Sequence, residues 1–237
     1  MFTPTGFFSA PAGGIVTDGL QQWIDPAVDD TADQSGNGRT AVLQGGLSTS
    51  GGEYVLDGTT NKYLDSGWTP DTDTNGFTIS CWLKETSNPT GGAQIMGNAA
   101  SSGTSGPEII ELFRLTGANI GKTFLNARYS LDSGDYYQLI VDNTNRIDST
   151  WYYYTLSGNT SDGTINVYIN NTLVNNDPMS PTGDTVASNG NTWVWWGRQS
   201  SGKAFNGRGG PVQVYTKILT SEQIIQNFDT DKARFGY

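Results

Sequence analysis

Asp29, Asp30 and Asp33 stand just before the turn Ser35-Gly-Asn-Gly38, which contains Asn37. Carboxylate and amide oxygens on a flexible loop suit a hard cation with irregular coordination, so these four residues are candidates for a Ca²⁺ site. Asp71-Thr-Asp-Thr-Asn-Gly76 copies the first half of a helix–loop–helix calcium loop. Its twelfth position is Trp82, where the bidentate Glu should be, so the segment reads as an Asp/Asn turn. Glu108 and Glu111 are the nearest acidic pair on a strand-like run. Glycoside hydrolysis needs two carboxylates about 5–10 Å apart across one sugar. A spacing of three puts this pair on opposite faces of a strand, which argues against a hydrolase.

The composition narrows the chemistry further. The chain has 237 residues, with 13 Lys+Arg, 23 Asp+Glu, one Cys and no His. Without histidine there is no Ser-His-Asp or Cys-His catalysis and no imidazole metal site. One cysteine leaves no internal disulfide, Cys-rich zinc site or redox pair. A formal net charge of −10 argues against nucleic acid, whose phosphates need a basic face. No apolar run approaches the ~18 residues of a membrane span, so no membrane partner is expected. The Gly-rich stretches are not followed by Lys-Ser/Thr and a helix, so they are not phosphate loops. Carboxylate chemistry, oxygen-ligand cations and surface recognition remain.

Aromatic side chains are the other candidates. Trp68, Trp151, Trp193, Trp195 and Trp196 could stack on sugars or form an interface between subunits. On a strand, Trp193 and Trp195 share one face, while Val194 and Trp196 share the other. One face of a sandwich strand is core. A sugar platform would need the solvent face and nearby Asp, Asn or Gly donors.

These residues must be positioned by strands. From Gly19 onward, strand-like runs alternate with Gly, Asn, Asp and Ser clusters. The runs are Leu20–Asp25, Glu53–Leu56, Phe77–Lys84, Glu108–Thr116, Lys122–Tyr129, Tyr136–Val141, Trp151–Leu156, Thr164–Ile169, Thr192–Trp196 and Pro211–Tyr215. In Phe77–Lys84, residues 77, 79, 81 and 83 form an apolar face that includes Cys81 as an inert core thiol. Asp162-Gly163 is a tight-turn signal between two runs. One helix is expected near the C-terminus. Thr220-Ser-Glu-Gln223 fits a capping box, Ile224, Ile225 and Phe228 form an apolar stripe, and Gly236 marks a stop. The expected fold is therefore all-β: a two-sheet antiparallel jelly-roll sandwich with one short C-terminal helix.

Residues 1–18 read as an N-terminal arm ahead of a single domain spanning 19–237. Phe2, Phe7 and Phe8 are too apolar for a free tail, so the arm packs on its own domain or docks on a neighbouring subunit or larger surface. The N-terminus has no basic region and no long apolar stretch of the kind found in signal peptides.

Several segments together resemble the concanavalin A-like lectin/glucanase superfamily, in its laminin G-like jelly-roll branch. They are Gly19–Asp25 with Asp33-Gln-Ser-Gly-Asn-Gly38 and the short strand Thr40–Leu43, then Tyr54–Asn61, Phe77–Lys84, Trp151–Leu156 with Asn166–Asn171, and Phe205–Gly207 through Val212–Tyr215 to Leu219–Phe228. The resemblance covers residues 15–237. In that family the turn at Asp33 and an Asp pair before a late strand often build a structural calcium site. Here the late strand is preceded by Gly209-Gly210-Pro211, so the Asp pair is missing. The glucanase motif of alternating acidic residues is also absent.

Gly14–Leu20 and Gln226–Tyr237 resemble the jelly-roll proteins encoded by tailed phages. That resemblance implies a non-enzymatic virion component on the particle surface, assembled in the host cytoplasm. Capsid decoration is the first expectation, with other virion proteins of capsid or tail as partners and a homo-oligomer as one form. A carbohydrate-binding adhesin of a tail or fibre, directed at a host surface glycan, is the second. A glycan-cleaving enzyme comes third.

Overall fold

The computed structural model describes residues 14–59, 61–69, 76–87, 93–97, 110–116, 123–130, 136–142, 146–159, 164–175, 192–197 and 205–237. They form two antiparallel sheets around a shared core. The first sheet runs β13 (Thr172–Asn175), β12 (Thr164–Ile169), β11 (Trp151–Asn159), β6 (Phe77–Ser87), β15 (Asn206–Tyr215), β4 (Glu53–Asp57) and β3 (Ser48–Ser50). β1 (Leu20–Ile24) also pairs with β15. The second sheet runs β10 (Tyr136–Asp142), β9 (Thr123–Ser130), β8 (Ile110–Thr116), β7 (Ala93–Gly97), β14 (Val194–Trp195), β5 (Tyr63–Asp65) and β2 (Val42–Gln44).

The alternation read from Phe77–Lys84 holds on its inner face. Phe77, Ile79, Cys81 and Leu83 all join the core between the sheets, together with Leu64, Ile95, Met96 and Leu112 from the opposing sheet. Complete burial pushes the Cys81 thiol well above its usual range, which makes it inert. The short strands β3, β5, β7 and β13 did not stand out as separate runs, because three to five residues carry too little alternation.

The outer face of β6 departs from a simple sandwich, because Thr78, Ser80 and Trp82 are buried there too. A third layer covers them: α1 (Ser221–Asp231) and a 3₁₀ turn over Lys232–Phe235. The Trp82 ring stacks on Phe228 at 5.5 Å and on Phe235 at 4.3 Å. Beneath the helix, the Ser80 and Tyr153 hydroxyls both donate to Gln213 Oε1, so both hydroxyls and that oxygen have partners.

The helix starts as its sequence requires. Thr220 Oγ1 accepts from the Gln223 N–H, and Gln223 Oε1 accepts from the Thr220 N–H. Ile224, Asn227 and Phe228 face inward, and Gly236 adopts the left-handed conformation that closes the final turn.

Residues 14–18, assigned to the arm by the sequence, pack as part of the domain. Ile15 and Val16 are buried against Tyr215, Leu219 and Ile224. The Val16 N–H donates to Asn227 Oδ1, and its carbonyl accepts from the Tyr215 hydroxyl. Gln226 Nε2 donates to the Gly14 carbonyl. Phe2, Phe7 and Phe8 lie outside the described residues. Among the described residues, no helix is long and apolar enough to cross a membrane.

Candidate ligand-binding groove

The C-terminal layer does not cover the whole outer face of the first sheet. On β15 it lies against Gly210, where an added Cβ would lie 2.8 Å from the Trp82 side chain and 3.0 Å from the Phe235 ring. Beyond that row, strand register places Arg208 between Lys84 of β6 and Val55 of β4. In the next row, Asn206 pairs with Asp57 and Ser87. The Thr86 hydroxyl donates to the Asn206 carbonyl at 3.0 Å. Val55, Asp57, Lys84, Thr86, Asn206 and Arg208 line an open groove of about 320 Å³. Gly207 makes this close approach possible. Its φ of 152° and the closeness of the Lys84 carbonyl, 1.8 Å from where a Cβ would sit, exclude any larger residue at the bulge.

The polar groups of the groove are unevenly neutralised. Asp57 accepts from Lys62 Nζ at 2.7 Å and from the Thr59 N–H at 3.0 Å. The bond from Lys62 is the main reason its carboxyl is held down at about 2. Asp57 is therefore a paired anion and not a proton donor. Arg208 Nε is 3.8 Å from Glu53, too long for a hydrogen bond, and its Nη1 is buried with no hydrogen-bond partner. The Lys84 ammonium lies 5.4 Å from the centroid of the Trp151 ring and has no carboxylate partner among the described residues. This arrangement offers donors and acceptors around Val55. Among the described residues that line it, Asp57 is the one carboxylate, with none beside it to share acid–base work.

The sequence-derived aromatic candidates separate into different environments. Trp193, Trp195 and Trp196 are 0% exposed and belong to the core, so their rings present no face to a sugar. Simple alternation would put Trp196 on the other side from Trp195. Trp196 instead has φ 63°, which breaks the strand and returns its ring to the core. There it packs 4.9 Å from Tyr54 and against Gly209, where a Cβ would be 2.7 Å from the indole. Trp151 is nearly buried against Phe235 at 4.6 Å and borders the groove through Lys84. Trp68 is half-buried, with the Arg39 guanidinium 3.9 Å above its ring.

The expected calcium residues do not form a cradle. Each Asp33 oxygen already takes two donors. Oδ1 accepts from the Trp23 and Ser35 N–H groups, while Oδ2 accepts from the Ser35 hydroxyl and the Arg39 N–H. Partial burial pushes this carboxyl up, but those hydrogen bonds outweigh it and hold it below its ordinary value. Asp29 bonds to the N–H groups of Thr31 and Ala32, and Asp30 accepts from the Thr49 hydroxyl. Asn37 turns its amide donors, not its oxygen, toward the Leu20 and Gln21 carbonyls. Among the described residues, no three His, Cys, Asp or Glu side chains gather as an ion site. The acidic loop is a set of turn acceptors, and the donor set does not fit Ca²⁺.

Residues 70–75 of the second calcium candidate, Glu108 and the side chain of Glu111 lie outside what is described, as does the Asp162-Gly163 turn. The groove residues Asp57, Lys84, Asn206 and Arg208 were not singled out by sequence. Alternation along β6 had already turned Lys84 outward, but only the register with β15 shows what stands beside it.

A family model described as the concanavalin A-like lectin/glucanases superfamily matches residues 57–225. No match is found among the sequences of curated proteins. Among solved structures, the fold is similar to the binding domain of Paraclostridial Mosquitocidal Protein 1, with a TM-score of 0.68 and 15% identity over 90% of this chain and 52% of that one. It is also similar to the botulinum neurotoxin serotype D ligand binding domain in complex with N-acetylneuraminic acid. That match has a TM-score of 0.66 and 13% identity over 90% of this chain and 51% of that one. The chain thus spans about half the length of these toxin domains. A third similar structure is domain 4 of AbnA, a GH43 extracellular arabinanase from Geobacillus stearothermophilus, in complex with arabinotriose. Its TM-score is 0.59, with 17% identity over 88% of this chain and 97% of that one.

Proposed function

Because the chain belongs to the concanavalin A-like lectin/glucanases superfamily, we propose that it is a non-enzymatic glycan-binding module whose ligand seat is the groove beside Lys84 and Arg208. The observation that carries this reading is the open groove beside the part of the outer sheet face that the C-terminal layer covers. A sugar needs several convergent donors and acceptors beside a small apolar contact. Asn206, Thr86, Asp57, Lys84 and Arg208 supply the polar groups around Val55. The binding domains among the similar structures support a recognition role. Asp57, held deprotonated by Lys62, is a poor general acid, which favours binding over cleavage.

The module serves on the surface of a phage particle, assembled with capsid or tail proteins in the host cytoplasm. Support comes from the two segments that resemble phage jelly-roll proteins. Gly14–Leu20 and Gln226–Tyr237 are bonded to each other through Gly14, Val16, Gln226 and Asn227, so the likeness falls on one continuous piece of structure. The groove favours an adhesin directed at a host glycan over passive decoration.

A glycan array probed with the 237-residue protein, followed by titration calorimetry on the hits, tests the reading. Binding that weakens at least tenfold in the double variant K84Q/R208Q, with an unchanged fold by circular dichroism, is expected. An array without hits would overturn it.

A further inference from the structure

Building on the glycan-binding reading, we propose that the groove selects acidic sugars, seating a sugar carboxylate between Lys84 and Arg208. The two cations stand directly opposite each other on adjacent antiparallel strands. Like charges in that relation destabilise a sheet. The chain has only 13 basic residues against 23 acidic ones, so pairing either cation with a carboxylate would be easy to arrange. Lys62 shows the usual solution in the next row, bonded directly to Asp57. Lys84 has no such partner among the described residues, and Arg208 has only a loose one. Glu53 approaches its Nε at 3.8 Å, with about a third of each side chain exposed, a geometry that contributes little.

Arg208 also carries an unused donor. Its Nη1 is buried and unbonded, a costly state that a modest swing of the guanidinium toward the groove would end if an acceptor were there. A planar carboxylate matches the two-pronged guanidinium, and Lys84 stands opposite on the neighbouring strand, its ammonium 5.4 Å from the Trp151 ring centroid and within one side-chain rotation of the groove it lines. Asn206, Thr86 and Asp57 then remain for hydroxyl groups of the same sugar ring. Binding would relieve the cation–cation opposition, so the ligand charge is what the sheet lacks.

The test is calorimetry with two matched pairs: trigalacturonic acid against galactotriose, and 3′-sialyllactose against lactose. In at least one pair the acidic member should bind about tenfold tighter or more, with the advantage shrinking as salt rises. R208Q should erase the preference, and R208K should restore only part of it, because Lys keeps the charge without the fork. Thermal melts establish that each variant is folded. Equal binding of acidic and neutral partners, or a preference that survives in K84Q/R208Q, would overturn the inference while leaving glycan binding intact. Failure of every sugar here and on the array would remove both.

Discussion

One guanidinium nitrogen of Arg234 donates to both carboxylate oxygens of Asp25, at 2.8 and 3.0 Å, while the other donates to the Gly52 carbonyl at 2.7 Å. This clamp fastens the 3₁₀ turn to the end of β1 and to the turn between β3 and β4. Asp25 is buried, so removing its partner leaves an uncompensated charge in a poorly solvated place. R234A should lower stability by about 2–3 kcal/mol, since Arg234 is itself partly exposed. In a domain of this size that is a fall in Tm of roughly 4–12 °C, readable by differential scanning calorimetry. A melt within 1 °C of wild type, on the order of a neutral surface substitution, would refute the clamp.

A second consequence concerns pH. Burial pushes the Asp231 carboxyl up, the nearby Asp25 charge adds to the rise, and Arg234 opposes it, leaving it at about 6. The unfolded chain releases the same proton near 4. The folded protein therefore holds the proton more tightly, and this contribution to stability is complete below about pH 4. It is lost as pH rises toward 6, and nothing further changes above that. D231N keeps the shape without the charge. It should match wild type near pH 4 and exceed it by about 2 kcal/mol at neutral pH. Urea titrations at both values check this, and equal stability at neutral pH would contradict it.

The N-terminal segment calls for two truncations. Ile15 and Val16 are buried beside α1, and burying each such side chain contributes roughly 1.5–3 kcal/mol. Deleting 1–18 should therefore destabilise the domain markedly more than deleting 1–13, which keeps Ile15 and Val16 in place. Only the shorter deletion is a clean test of attachment to a particle. If the 14–237 protein co-sediments with particles as well as the full chain does, the first thirteen residues are not the tether.

Features written in neighbouring residues were legible in the sequence. The capping box at Thr220 and Gln223 needs only four positions, and the inner face of β6 only its own alternation. What depends on distant parts of the chain was not legible. Alternation puts Trp82 opposite the apolar face of Phe77, Ile79, Cys81 and Leu83, and nothing local announces that Phe228 and Phe235 will cover it there. The strand pattern failed at Trp196 because a single positive φ changes the direction of the ring without leaving a local signature. Asp33 looked like a cation ligand because its type and spacing fit one. Its four donors come partly from Trp23 and Arg39, which only the folded loop brings to it. The groove joins β4, β6 and β15, so its charge pattern is a property of register and not of any one segment.

The junction between Gly14–Val16 and α1 also sets an orientation. The chain enters the folded domain against Gln226 and Asn227, within α1, whereas the groove opens past Phe235, beyond the last turn of that layer. Gly14 and the groove are thus offset along one face. A support that grips the protein at Gly14 would leave the Lys84–Arg208 row free at the other end of that face. Many copies held this way could all turn the same chemistry outward, so weak individual contacts would add up across an array.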